Sequence, residues 1–331
     1  MTTPEMASLP RHLRSELAEM RALIDHRLTR LEEPLRSLLR GMLAQGKAIR
    51  PSLALLVGRL CGVAPGPRCT LAAALEMVHV ATLVHDDLID ESPVRRRQPT
   101  LHAAWSVPGA VLAGDWLLGQ STSLVADLGQ PRICQLFGQT LCHLCAGEIR
   151  QLLTTGIRSQ PQDYYRAIDA KTASVFAAGA RMAAILGGAP EPEVSALGRY
   201  GRRLGLAFQI VDDVLDLVGD ERELGKPIGS DLRQGLVTLP TILFLETTGD
   251  PTPVLQVLSG RRDEEALSAA ISAICASGAV ETALVQAEAI AERARAALKT
   301  LSAGEPRRML DDLTIATIAR GRKLSSGSTP L

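Results

Sequence analysis

Apolar residues recur at three- and four-residue spacing along most of the chain, the signature of amphipathic helices. From Leu13 to Leu43 the rhythm breaks only at Pro34, which lacks an amide donor and is expected to separate two helices. Pro51 to Leu60 reads as the next helix, ended by the turn Gly62-Val63-Ala64-Pro65-Gly66-Pro67. Thr70 is placed to cap another, from Leu71 to about Ile89. Residues 92–108, punctuated by Pro93, Pro99 and Pro108, read as a loop. Long helices are predicted over 109–128, 132–155, 163–186 and 192–218, with Gly187-Gly188-Ala189-Pro190 between the last two. Residues 219–235, rich in glycine and charge, read as an ordered loop. Helices over 237–247, 252–258, 263–276, 279–301 and 305–322 follow. No alternating strand pattern and no low-complexity linker emerge. The expectation is an all-α fold, one domain over 1–331, with flexible ends at 1–10 and 325–331.

Composition agrees. The chain has 331 residues, 46% of them hydrophobic, which is ample for a buried core. Aromatics are only 3%, while Ala and Leu abound, a balance that favours helix over strand. A formal net charge of zero removes any general attraction to nucleic acid or an anionic membrane, so a basic site must be local. No run of about 18 apolar residues predicts a membrane span, and Met1 to Pro10 has no apolar signal core. Cys61, Cys69, Cys134, Cys142, Cys145 and Cys275 suggest no disulfide framework. Cys142-His143-Leu144-Cys145 lacks the second half of a metal site and reads as helix. These features fit a soluble, cytoplasmic protein.

Two acidic blocks interrupt the apolar pattern: His85-Asp86-Asp87-Leu88-Ile89-Asp90 and Val211-Asp212-Asp213-Val214-Leu215-Asp216. On a helix the outer aspartates of each lie one turn apart on one face. Carboxylates are rarely buried without partners, so blocks in apolar helices call for cations. Facing one another across a cavity, they would offer oxygen ligands suited to Mg²⁺, which favours carboxylates together with substrate phosphates. Basic residues cluster near both: Lys47 and Arg50, then Arg95-Arg96-Arg97, Lys171 beside Thr172, and Lys226. Acid and base together suit a polyanionic ligand held partly by metal and partly by Arg and Lys.

The order of these motifs resembles that of the all-trans polyprenyl diphosphate synthases over nearly the whole chain. The series runs Gly46-Lys47 with Arg50-Pro51, Glu76 and His79, the first block with Glu91-Ser92, Arg95-Arg96, Pro99-Thr100, Gly114-Asp115, and Gly147-Glu148 with Gln151. It continues through Lys171-Thr172-Ala173, then Phe208-Gln209 leading into the second block, Gly225-Lys226, Gly229, Asp231-Leu232 and Thr238-Leu239-Pro240. The resemblance implies long antiparallel helices around a central cavity, and a homodimer. It implies that Asp86, Asp90 and Asp212 ligate a Mg²⁺ cluster on an allylic diphosphate, with Asp87, Asp213 and Asp216 as further ligands or support. Arg95, Lys171 and Lys226 would hold that diphosphate. Lys47, Arg50, His79 and Arg96 would hold isopentenyl diphosphate. Lys171, Thr172 and Gln209 would offer dipoles and an ammonium near the bond-forming step.

By the same resemblance the product grows down the helix of the first block, past Ala81 and Thr82 to Val78. Small residues there imply a product longer than geranylgeranyl diphosphate; a short-chain synthase is the alternative. Two departures from the family pattern stand out, Arg97 in place of glycine and Leu236 in place of lysine. Rival readings are a class I terpene cyclase, a noncatalytic subunit of a heteromeric synthase, and a plain structural bundle. The second acidic block, with Lys47, Arg50 and Arg96 for a second diphosphate, argues against the first, retention of both blocks against the second, and the apolar flanks of both blocks against the third.

Overall fold

A computed structural model describes residues 10–44, 48–95, 98–153, 160–219 and 227–325. In chain order its elements are α1 (Arg11–Leu28), α2 (Leu35–Ala44), α3 (Ile49–Leu60), α4 (Pro65–Ile89), β1 (Val94–Arg95), β2 (Gln98–Pro99), α5 (Leu101–Ala104), α6 (Val107–Asp127) and α7 (Pro131–Leu153). Next come α8 (Pro161–Ile168), a π-helical turn (Asp169–Ala173), α9 (Ser174–Leu186), α10 (Glu191–Val218), α11 (Ser230–Gln234), α12 (Leu239–Thr247), α13 (Thr252–Leu258), α14 (Glu264–Ala276), α15 (Ala279–Leu298) and α16 (Glu305–Ser325). The all-α expectation holds. Among the described residues the exception is the two-residue antiparallel pair β1–β2, with Val94 opposite Pro99, too short to leave an alternating pattern. Among the described residues no single helix is long and apolar enough to cross a membrane.

The chain divides into two compact units. The first comprises Met1–Thr140, Phe176–Gly201 and Thr300–Leu310. Here α1 buries Leu13, Leu17, Met20, Ile24 and Leu28 at helical spacing. Helix α4 begins at Pro65, earlier than the sequence suggested. Proline needs no amide partner in a first turn, and Thr70 lies inside the helix, its hydroxyl donating to the Gly66 carbonyl at 3.0 Å. Every residue from Leu71 to Val78 is buried. α4 packs most extensively against α6, whose start is capped by Ser106 Oγ accepting from the Gly109 amide at 3.1 Å. Close approach depends on Gly114: a Cβ there would lie 2.1 Å from His85 Nε2.

The second unit comprises Leu141–Val175, Arg202–Lys299 and Asp311–Leu331. Its core gathers Ile210, Val211, Val214 and Leu215 of α10 with side chains of α12, α14 and α15. The helix predicted over 163–186 is continuous except for the π turn at Asp169–Ala173, a rare geometry that recurs at functional sites. Lys171 and Thr172 lie within it.

Candidate active site

In the first unit, α4 delivers the first acidic block in its last turn. The helix ends with Glu91 in the left-handed region (φ 50°). The Glu91 amide donates to the Leu88 carbonyl at 3.3 Å and that of Ser92 to Asp87 at 2.9 Å. This satisfies carbonyls that the helix end leaves open, without the usual glycine. A left-handed non-glycine costs about 1 kcal/mol, and it sits directly beside the block. His79, Thr82, Leu83 and Asp86 form a stripe of partly accessible residues up the helix, and Asp90 is exposed. Ala81 and Val78 lie on the packed side, 0% and 2% exposed. Of the three residues expected to meet a growing tail, only Thr82 therefore has substantial accessible surface.

Asp87 is 1% exposed, and Arg95 Nε donates to its Oδ1 at 2.5 Å. Its Oδ2 is buried with no hydrogen-bond partner among the described residues. Burial raises this carboxyl above the ordinary range, and Arg95 offsets part of that. Arg95, expected to hold diphosphate, is thus engaged by an aspartate of the block. Arg50, also assigned to a diphosphate, stacks its guanidinium 5.0 Å from the Phe176 ring centre.

The second block lies on α10 in the second unit. Asp212 is half-buried, whereas Asp213 and Asp216 are buried. Tyr164 Oη donates to Asp213 Oδ2 at 2.6 Å, and Gln209 Nε2 donates to Oδ1 at 2.8 Å. Thr172 Oγ1 donates to Gln209 Oε1 at 2.7 Å. Burial pushes the Asp213 carboxyl up to about 7 against the pull of its two donors. Asp216 accepts from the Asp231 amide at 3.1 Å, which ties the block to α11. That short helix ends at Gly235 (φ 80°), with the Leu236 amide donating to the Asp231 carbonyl at 2.8 Å.

The π turn is held at its first residue and at its middle. Arg202 forks onto Asp169, and Lys171 Nζ lies 3.0 Å from Glu148 Oε1. Gly147 makes that approach possible, since a Cβ there would lie 2.6 Å from the Ala170 Cβ. The Gly147-Glu148 motif therefore positions Lys171. The sequence reading passed over Tyr164; its one signal was a place seven residues, two helical turns, before Lys171. Lys47, Arg96, Arg97 and Lys226 lie outside the described residues, as does the side chain of Gln151.

Donor chemistry decides whether magnesium fits. Asp86, Asp90 and Asp212 offer hard carboxylate oxygens with accessible surface, the ligands Mg²⁺ prefers. Asp87 adds a buried oxygen that lacks a described partner. Among the described residues no three such side chains converge into a ready-made metal cage. Mg²⁺ is ordinarily bound by one or two carboxylates and completed by water and phosphate.

The sequence pattern of the family described as Polyprenyl synthetase matches residues 30–274. Heptaprenyl diphosphate synthase component 2 of Geobacillus stearothermophilus is 39% identical over 273 residues, 82% of this chain and 85% of that protein. A decaprenyl diphosphate synthase crystal structure from Rhodobacter capsulatus superposes with a TM-score of 0.86 at 34% identity, covering 94% of this chain and 98% of that one. A polyprenyl synthase from Caulobacter crescentus, complexed with calcium and isoprenyl diphosphate, gives 0.87 at 31% identity over 93% and 96%. The chain belongs to the polyprenyl synthetase family, and its fold is that of the isoprenyl diphosphate synthases.

Proposed function

We propose that this prenyltransferase condenses isopentenyl diphosphate with an allylic diphosphate, using Mg²⁺, and releases an all-trans product longer than geranylgeranyl diphosphate. The observation that carries the reading is common to both blocks: each leaves its first aspartate partly accessible while partners of its own hold the second. Asp86, Asp90 and Asp212 are the metal ligands, and Asp216 supports the second block through α11. Arg95, Lys171 and Lys226 bind the allylic diphosphate. Lys47, Arg50, His79 and Arg96 bind isopentenyl diphosphate. Bound metal supplies charge neutralisation, so that the allylic carbon–oxygen bond can ionise.

The residues of the chain then do three things. Arg95 and Lys171 stabilise charge accumulating on the departing pyrophosphate. Thr172 and Gln209 present dipoles toward the allylic cation. Apolar side chains keep water from it while the isopentenyl double bond attacks, after which a proton is lost to the released pyrophosphate. The heptaprenyl and decaprenyl relatives support a long product, and Thr82, with Val78 and Ala81 behind it, leaves no aromatic floor on α4.

The partner is a second copy. Val107, Val111 and Leu112 on α6 are large, apolar and exposed, Leu112 at 66%. The relative called component 2 favours a second reading, a different subunit on that face. Incubating the purified chain with isopentenyl diphosphate, each allylic starter and Mg²⁺, with sizing of products and of the protein, tests both. A chain that makes long product alone as a dimer supports the proposal. A chain inactive until another subunit is added supports the second reading.

A further inference from the structure

We infer that Tyr164 is a positioning residue for prenyl transfer, acting through Asp213 and Gln209 to fix the direction of the Thr172 hydroxyl. The inference rests on the reading above, in which Thr172 serves the bond-forming step.

Both Asp213 oxygens accept, Oδ2 from the Tyr164 hydroxyl at 2.6 Å and Oδ1 from the Gln209 amide nitrogen at 2.8 Å. Because Oδ1 accepts, the Gln209 amide must turn its nitrogen toward Asp213 and its oxygen toward Thr172. The Thr172 proton is thereby committed to Gln209 Oε1, at 2.7 Å. Any group that meets Thr172 Oγ1 from elsewhere then meets lone pairs, the polarity that stabilises a carbocation. Tyr164 ends the chain. It is 6% exposed, in the middle of α8, five residues before the start of the π turn that carries Thr172. Without its hydroxyl, Asp213 Oδ2 is buried without that donor, and the carboxyl is free to rotate and release Gln209. The same bookkeeping makes Asp213 an internal anchor rather than a metal ligand.

The adjacent residue is a built-in control. Tyr165 also donates its hydroxyl, to Gln286 Oε1 at 2.7 Å, outside this chain of bonds. Both phenylalanine variants keep the ring and delete one hydrogen bond. Steady-state kinetics with Mg²⁺, isopentenyl diphosphate and the best allylic starter separate them. Tyr164→Phe is expected to lower kcat about tenfold, equivalent to about 1.4 kcal/mol of barrier, with the KM for isopentenyl diphosphate changed less than about twofold. Tyr165→Phe keeps the wild-type kcat. In a Gln209→Ala background, Tyr164→Phe has no further effect, because the link to Thr172 is already cut.

A wild-type kcat in Tyr164→Phe, an equal loss in Tyr165→Phe, or additivity with Gln209→Ala overturns the inference. Should Tyr164→Phe not fold, 3-fluorotyrosine at position 164 keeps the hydroxyl and changes its acidity; an unchanged kcat there overturns it as well. A wild-type chain with no prenyl transfer overturns the functional reading and this inference with it. An active wild type with an indifferent Tyr164→Phe overturns this inference alone.

Discussion

The two acidic blocks share a spacing but not an environment. In the first, the middle aspartate Asp87 is held by a guanidinium, Arg95, and its other oxygen has no described partner. In the second, Asp213 is held on both oxygens by neutral donors, Tyr164 and Gln209. Both carboxyls titrate above the ordinary range because burial outweighs their partners, and Asp213 reaches about 7. A third buried carboxylate gives the scale. Glu16 on α1 also suffers burial, yet its two arginines, Arg59 at 2.7 Å and Arg68, bring it below 4.5. With no arginine, one and two, the three differ in direction: burial outweighs the partners at Asp213 and at Asp87, where neighbouring aspartates add to it, and two arginines outweigh it at Glu16. Each block therefore carries a carboxylate that its surroundings do not fully compensate.

If the blocks are equal in function despite this difference, removing either leading aspartate has the same consequence. Asp86→Ala and Asp212→Ala are each expected to lower turnover on the order of 10³-fold, the scale of losing a group that stabilises developing charge. Both side chains are only half-buried, so melting temperatures stay close to wild type. A wild-type rate in either variant refutes the metal assignment at that block, and unequal losses rank the two.

The carboxylate series is tested away from catalysis. Glu16→Gln leaves Arg68 buried without its anion and is expected to cost about 3 kcal/mol of stability at pH 7 in denaturant unfolding. The folded-state pKa of Glu16 lies below its unfolded value of 4.5, so its contribution is present above that pH and lost as pH falls through the folded value. Wild type and variant should therefore converge in acid; a constant gap would mean that packing, not charge, accounts for the loss. Arg95→Met removes the cation from Asp87. Because Arg95 is 35% exposed, the expected cost is smaller, about 2 kcal/mol at neutral pH.

Much of this was legible in the sequence, and the gaps have physical causes. Helical rhythm gave nearly every long helix, because each buries a stripe against a neighbour, as Leu13, Leu17, Met20 and Ile24 do on α1. The rhythm could not reveal the π turn at Asp169–Ala173, since one extra residue per turn leaves the apolar pattern on either side intact. The spacing of the aspartates placed each block on a helix, but not which aspartate faces inward. Burial of Asp213 follows from neighbours distant in sequence, Tyr164 above all, 49 residues before it. The contact of Glu148 with Lys171 was hidden for the same reason: it requires the glycine before it and the turn opposite.

The smallest expected effect concerns product length, and again sets one block against the other. Four residues before Asp86 stands Thr82; four before Asp212 stands Phe208, whose ring lies 5.7 Å from the Arg320 guanidinium carbon. The two positions are equivalent along their helices, one turn below the leading aspartate. On the proposed path of the tail, a small side chain at position 82 leaves room for growth and an aromatic one closes it. Thr82→Phe gives the first block the side chain of the second and is expected to shorten the product by one or more isoprene units. Ala81→Phe probes the packed side of the same helix. At 0% exposure Ala81 has no room for a ring, so the substitution overpacks the core and costs about 1–3 kcal/mol of stability, leaving product length unchanged. Sizing the products of both variants decides the matter. Shortening by Ala81→Phe alone would put the tail on the face that α4 keeps closed, and the accessible stripe through His79, Thr82 and Asp86 would then belong to the diphosphates only.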